Sequence, residues 1–114
     1  MKKKYRLLKN YQFEKLIVNG KYVSNQEFFI YYFYRNDKGT IRVGISVPKK
    51  RVNKAFIRNK IKRQIKHMLN DVKKEWSIDI VVMVKKNYLN NDYNTNKISL
   101  LNLLKKVSMK EENK

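Results

Sequence analysis

The sequence predicts an α+β fold, a single-domain α/β sandwich with elements in the order αβββαβα. Three observations carry that expectation. Residues 27–35, EFFIYYFYR, are almost wholly aromatic or β-branched, which is the composition of a strand. Residues 41–47, IRVGISV, alternate with a period of two, placing Ile41, Val43, Ile45 and Val47 on one face. Between Asn53 and Val72, residues Ile57, Ile61, Ile65, Met68 and Leu69 recur at helical spacing. The chain has 114 residues, enough for one core, with no repeat, linker or break in composition. Residues 1–114 are therefore expected to form one domain, with its core in about 6–107 and a frayed tail over 108–114.

The elements follow in order. Asn10 is a candidate cap for a helix over Tyr11 to Asn19, with Phe13, Leu16 and Ile17 on one side and Gly20 closing it. A short extended piece is expected at Lys21 to Ser24, then the aromatic strand, then a turn at NDKG (36–39). Pro48 ends the alternating strand, and the long helix follows. IDIVVMV (78–84) is short and uniformly apolar, as a central strand buried on both faces would be. KKNYLNNDYN (85–94) predicts a loop. Ile98, Leu101, Leu104 and Val107 predict the last helix, and KEENK (110–114) its frayed end.

Charge narrows the function. The chain carries 28 basic and 9 acidic residues, a formal net charge of +19. Self-repulsion at that density opposes compaction, so a polyanionic partner explains it best. Nucleic acid leads, because neutralising phosphates releases condensed counterions. An anionic membrane surface is the rival, but no stretch approaches the roughly 18 apolar residues of a spanning helix, and the start, MKKKYRLLKNYQFEK, is too charged for a signal peptide. Cysteine is absent, excluding disulfides and thiolate metal sites. A cytoplasmic protein is expected.

The charge concentrates on the long helix and the residues before it. Nine Lys or Arg fall between Lys49 and Lys66, and no acid occurs between Asp37 and Asp71. A merely solvated helix usually mixes signs, since opposite charges at i, i+4 stabilise it and like charges do not. Beside the isoleucine stripe, Arg58, Lys62 and Lys66 form one row, Asn59 and Arg63 the next, and Lys60 completes the exposed side. Arg58 and Arg63 stand out in a chain with six Arg and 22 Lys, because a guanidinium binds phosphate bidentately and stacks on bases.

Along the aromatic strand, Phe29, Tyr31 and Phe33 share one face and Phe28, Ile30, Tyr32 and Tyr34 the other. Most such rings belong to a core, yet an aromatic sheet face flanked by cations also stacks single-stranded bases. The pattern does not say which face is which. Catalytic constellations are missing. His67 is the lone histidine, the carboxylates lack metal-ligand spacing, and no phosphate-binding glycine loop is present.

RVGISVPKKRVNKAFIRNKIKRQIK, with LKNYQFEKLIVNGK before it and IDIVVMVKK after it, resembles the bacterial ribonuclease P protein family over about residues 6 to 107. Ser46, Lys49, Lys50, Arg58, Asn59, Lys62 and Arg63 occupy the motif positions. The resemblance implies the same αβββαβα order, with a left-handed βαβ crossover against the usual hand. It also implies a subunit of an endoribonuclease whose RNA, with bound Mg2+, removes the 5′ leader of precursor tRNA. The protein would bind no cofactor of its own and would meet the catalytic RNA subunit in a 1:1 complex. By this resemblance Lys49, Lys50, Arg51, Arg58, Asn59, Lys60, Lys62, Arg63 and Lys66 bind that RNA. Lys9, Phe13, Ile17 and Tyr31 would wall a leader cleft between the first helix, the sheet and the motif helix. Pro48 stands where the family has a small polar residue, Lys60 and Lys66 where Arg is common, and Ile17 where an aromatic is frequent. A non-enzymatic ribosomal or other structured-RNA binder is the alternative; a membrane partner is not expected.

Overall fold

The computed structural model describes residues 6–7, 10–35, 39–72 and 75–112. Along them run β1 (Arg6–Leu7), α1 (Asn10–Asn19), β2 (Lys21–Ser24), β3 (Phe28–Tyr34), β4 (Arg42–Ser46), α2 (Ala55–Met68), β5 (Ile78–Val84) and α3 (Tyr93–Glu112). Two 3-10 turns, Leu69–Asp71 and Lys86–Asn90, follow α2 and β5. The expected order is present with one addition, the two-residue β1 beside β4. The expected turn at 36–39 falls mostly on residues outside those described, as does the Asn10 side chain.

All five strands form one sheet in the order β1-β4-β5-β3-β2. β5 is its centre and is buried along nearly its whole length, as an uninterrupted apolar run requires. It pairs parallel to β4 and antiparallel to β3. The unit β4–α2–β5 is therefore a parallel crossover between adjacent strands, the one to which the family resemblance assigns a left-handed path.

Alternation along the strands separates the two faces. Phe28, Ile30 and Tyr32 of β3, Val43 of β4, and Ile78, Ile80, Val82 and Val84 of β5 enter one core. α2 contributes Ile61, Ile65 and Met68, and α3 contributes Leu100, Leu103, Leu104 and Val107. Removing such side chains from water at about 25 cal/mol per Å² dominates the stability of a chain this charged. The Tyr34 hydroxyl, on the same face, donates to the Val107 carbonyl and ties α3 to β3.

The last helix begins earlier and is rotated relative to the sequence expectation. Ile98 is 61% exposed, whereas Leu100 and Leu103 are buried. A strict i+3 series drifts backwards by about 60° per step on a helix, so Ile98, Leu101, Leu104 and Val107 cannot all share one face. Asn96 is buried instead, its amide donating to the Tyr88 carbonyl at 3.0 Å and accepting from Asn91 at 3.1 Å. The helix also continues to Glu112, through residues expected to fray.

α1 lies on the opposite sheet face and packs Leu16 down towards β3 and β5. Gly20 closes it, but not through a left-handed conformation: among the described residues no φ is positive. A Cβ at Gly20 would stand 2.5 Å from the Leu16 carbonyl oxygen, which the Gly20 amide already binds at 2.8 Å. Glycine is required there by close backbone approach.

Candidate nucleic-acid interface

Two surfaces carry the candidate residues, one on each side of the sheet. The first is the solvent side of α2. Its stripe of Ile61, Ile65 and Met68 is buried, and this fixes the rotation of the helix. Asn59, Lys60, Arg63 and Lys66 are then exposed, with Lys62 half-buried at the margin. Lys49 and Lys50 are exposed in the turn directly after Pro48, whose carbonyl accepts from the Arg51 and Val52 amides at 3.0 and 3.1 Å. Pro48 thus begins the turn that presents the two lysines. Lys54 holds the N-cap of α2 with no side-chain cap, and no acid stands in the first turn. The positive end of the helix dipole is left beside positive side chains.

Two arginines of the motif region are more than outward charges. Arg58 is half-buried and donates through Nη1 to the Val52 carbonyl at 2.9 Å, bracing the turn that leads into its own helix. Arg51 donates to the Val84 carbonyl at 3.0 Å, and its guanidinium carbon stands 5.9 Å from the Phe29 ring centre. The sequence grouped Arg51 with the α2 cations, whereas the structure directs it to the end of β5 and the aromatic face.

That face is the second surface. In register, Tyr22 of β2 pairs with Tyr31 of β3, and Ser24 with Phe29. Tyr31 is followed across the sheet by Val81 and then Gly44, and Phe29 by Met83 and then Ser46. Aromatics on β2 and β3 thus give way to small side chains on β4, forming a shelf on which Tyr22 is exposed, Phe29, Tyr31 and Ser46 are half-buried, and Val81 and Gly44 are buried. Tyr22, Phe29 and Tyr31 form a continuous cluster, with ring centres 5.8 to 6.2 Å apart. The Lys85 ammonium lies 4.3 Å from the Phe29 ring centre, an orientation favoured by the ring's quadrupole. Lys85 is fixed from both ends: its amide donates to the Glu27 carbonyl at 2.8 Å and its ammonium to the Asn25 carbonyl.

Phe13 and Ile17 of α1 are half-buried on the helix that covers part of this face, and Tyr31 is half-buried on the shelf. Lys9 lies outside the described residues. α2 does not wall this cleft, in contrast to the sequence expectation, because its apolar stripe belongs to the layer on the other side of the sheet. Arg51, in the β4–α2 connection, is the part of the motif region that reaches it. Tyr22, Phe29 and Lys85 also belong to the surface and were not singled out. Period-two alternation shows that Phe29 shares a face with Tyr31, but only strand pairing brings Tyr22 and Lys85 beside them.

A cavity of about 300 Å³ opens at the other flank of α1, lined by Gln12, Lys15, Leu16, Gly20, Phe33, Arg35, Arg42 and Asp79. None of Phe13, Ile17 and Tyr31 lines it. At its floor the Arg42 guanidinium donates to both Asp79 oxygens at 2.7 Å, with Arg35 Nε 3.5 Å from one of them. His67, the one histidine, is exposed, with Nδ1 2.9 Å from the Tyr93 hydroxyl. Among the described residues no group of three or more His, Cys, Asp or Glu side chains converges.

Comparison with known proteins converges on one family. The family model for ribonuclease P matches residues 1–108. The ribonuclease P protein component of Mesoplasma florum is 42% identical over 107 residues, covering 91% of this chain and 96% of that protein. That of Bacillus cereus is 34% identical over 112 residues, covering 96% of each. The RNase P protein of Staphylococcus aureus superposes with a TM-score of 0.80 at 32% identity, covering 92% of this chain and 96% of that one. For the Thermotoga maritima protein the TM-score is 0.76 at 30% identity, with 90% and 97% covered. With an acid-free helix face on one side of its sheet and an aromatic shelf on the other, the chain belongs to the ribonuclease P protein family.

Proposed function

We propose that this protein subunit of ribonuclease P divides its two surfaces between two RNAs. The outward side of α2, with Lys49 and Lys50, docks on the catalytic RNA subunit. The shelf of Tyr22, Phe29 and Tyr31, walled by Phe13 and Ile17 and edged by Arg51 and Lys85, takes the single-stranded 5′ leader of precursor tRNA. The observation that carries the first assignment is the absence of any acid on α2 while Ile61, Ile65 and Met68 are buried in the core. A helix so anchored can turn only its cationic side outward, and that side complements a phosphate backbone. The leader assignment rests on chemistry that reads no sequence. Each ring offers a stacking plane to any base, and the two cations at the shelf's edge suit the phosphates between bases.

Hydrolysis of the phosphodiester, which leaves a 5′ phosphate on the mature tRNA, is assigned in this proposal to the RNA subunit and its Mg2+. The two carboxylates nearest the sheet do not fit a divalent ion: both Asp79 oxygens are held by Arg42, and Glu27 accepts from Ser99, Asn87 and Asn91. The protein's part is to hold substrate and neutralise repulsion between two polyanions, which lowers the cation concentration their association needs. A 1:1 complex with the RNA and a cytoplasmic location complete the proposal. No described helix is long and apolar enough to cross a membrane.

Reconstitution tests it. Added to the catalytic RNA at low magnesium, the chain should restore 5′ processing of precursor tRNA. Tight binding to structured RNAs without any stimulation would instead indicate a non-enzymatic RNA binder.

A further inference from the structure

Phe56 fits neither the core nor the charge pattern of α2. It is 70% exposed in the first turn, one residue before the half-buried Ile57. At 100° per residue, Phe56, Lys60, Arg63 and His67 fall within roughly 60° of arc, on the side opposite Ile61, Ile65 and Met68. Lys60, Arg63 and His67 are all exposed. Just before the helix, Asn53 and Lys54 are exposed as well. The ring takes part in none of the ring stacks or cation–π contacts among the described residues. The other exposed phenylalanine, Phe33, lines the cavity beside α1. Phe56 therefore keeps a large apolar surface in water in the first turn of the cationic helix α2.

We infer that Phe56 is a stacking contact for an unpaired nucleobase of the RNA subunit, a specificity-determining residue within the basic interface. This rests on the proposed docking of α2 on that RNA. Charge complementarity selects the occupant. A protein surface matching this stripe would have to place acids around a ring-sized pocket, whereas RNA supplies phosphates and a flat π surface together. The phosphates would sit against Lys60, Arg63 and Lys54, and a base turned out of the stack would lie on the ring. The cations supply attraction without regard to sequence. The ring favours an RNA whose unpaired base stands at the matching distance from those phosphates.

The test is titration of the RNA subunit with wild type, Phe56→Ala, Phe56→Leu and Phe56→Trp across a range of salt. Both Ala and Leu should weaken binding by roughly 5- to 100-fold, the range of one lost base stack, with the salt slope unchanged because no phosphate contact is removed. Trp should bind within about twofold of wild type, and its emission, above the Trp76 background, should be quenched by the RNA. Thermal midpoints should match wild type in all three, since the side chain is exposed. Wild-type affinity in Phe56→Ala overturns the inference, as does full affinity in Phe56→Leu, which would mean simple apolar contact. Lowered thermal midpoints overturn it in favour of a structural role. Self-association of wild type that Phe56→Ala abolishes overturns it in favour of a second copy of the chain. Failure of wild type to bind the RNA overturns the docking proposal and the stacking with it, whereas wild-type binding with an indifferent Phe56 overturns the stacking alone.

Discussion

Arg42 holds both carboxylate oxygens of Asp79 at 2.7 Å, from directly across the parallel pair β4–β5. The residues face each other in register on the sheet side covered by α1, and Arg35 approaches the same carboxylate. A planar fork matched to a carboxylate is among the stronger charge-assisted contacts. Asp79 is only 8% exposed, so its removal would take away the carboxylate that the Arg42 fork binds at the sheet surface. Asp79→Ala should lower stability by about 3 kcal/mol, as expected for breaking one side of a largely buried pair. Urea denaturation measures the loss. A change under 1 kcal/mol would mean that water replaces the carboxylate without cost.

Arg63 and Arg58 should behave differently although both stand in the basic motif. Arg63 is exposed, so Arg63→Ala should weaken RNA-subunit binding roughly tenfold and make the salt slope shallower by about one unit, with an unchanged thermal midpoint. Arg58 also donates to the Val52 carbonyl, so Arg58→Ala should lose about 1 kcal/mol of stability besides its affinity. Equal thermal midpoints for the two variants would deny the bracing role of Arg58.

On the shelf, Tyr31→Ala should reduce preference for precursor tRNA with a leader over mature tRNA by about tenfold, through loss of one stacking plane. Tyr31→Phe keeps the plane and should retain that preference. Phe13→Ala tests the α1 wall in the same way. For both positions binding to the RNA subunit alone should change little, since that contact is proposed for the other side of the sheet. Competition between substrates with and without leader provides the measurement, and equal loss for both would show that the shelf does not read the leader.

What local sequence conveyed and what it did not follow from the range of the interactions. The pattern of β3 separates Phe28, Ile30 and Tyr32 from Phe29, Tyr31 and Phe33 by period alone, but which set is buried depends on where α1, α2 and α3 pack. Isoleucine spacing fixed the outward side of α2 because a single helix face suffices to define it. β1 left no trace, since two residues carry no periodicity and its pairing partner β4 is more than thirty positions away. The structural duties of Arg51 and Arg58 were hidden for a related reason: their acceptors are backbone carbonyls, which every residue has. Ile98 was misplaced because α3 buries Asn96, whose amide is satisfied within the protein, and hydropathy counts an asparagine as exposed. The RN-x-x-KR motif was legible because it is a spacing of side chains on one helix.

Glu27 joins the β2–β3 turn to the opposite end of the chain, and its chemistry predicts how stability responds to acid. Oε1 accepts from the Ser99 hydroxyl at 2.7 Å, and Oε2 from the amides of Asn87 and Asn91 at 2.8 and 3.1 Å. Burial raises the pKa of this carboxyl, but the hydrogen bonds from Ser99, Asn91 and Asn87 together lower it further, so the net shift is below the ordinary 4.5. With the folded pKa below the unfolded one, the unfolded state takes up the proton first. The stabilisation is therefore complete above about pH 4.5 and is lost as pH falls through the lowered folded value. Glu27→Gln should remove this acid-dependent component and cost about 1–3 kcal/mol at neutral pH, because a neutral amide oxygen accepts from Asn87 and Asn91 more weakly than a carboxylate and the Ser99 hydroxyl must turn from donor to acceptor. Lys85 bonds to the backbone of the same turn, so the variant should also loosen the cation beside Phe29 and reduce leader preference. Denaturation midpoints from pH 3 to 7 would decide the matter: parallel curves for wild type and variant would show that Glu27 does not titrate with folding.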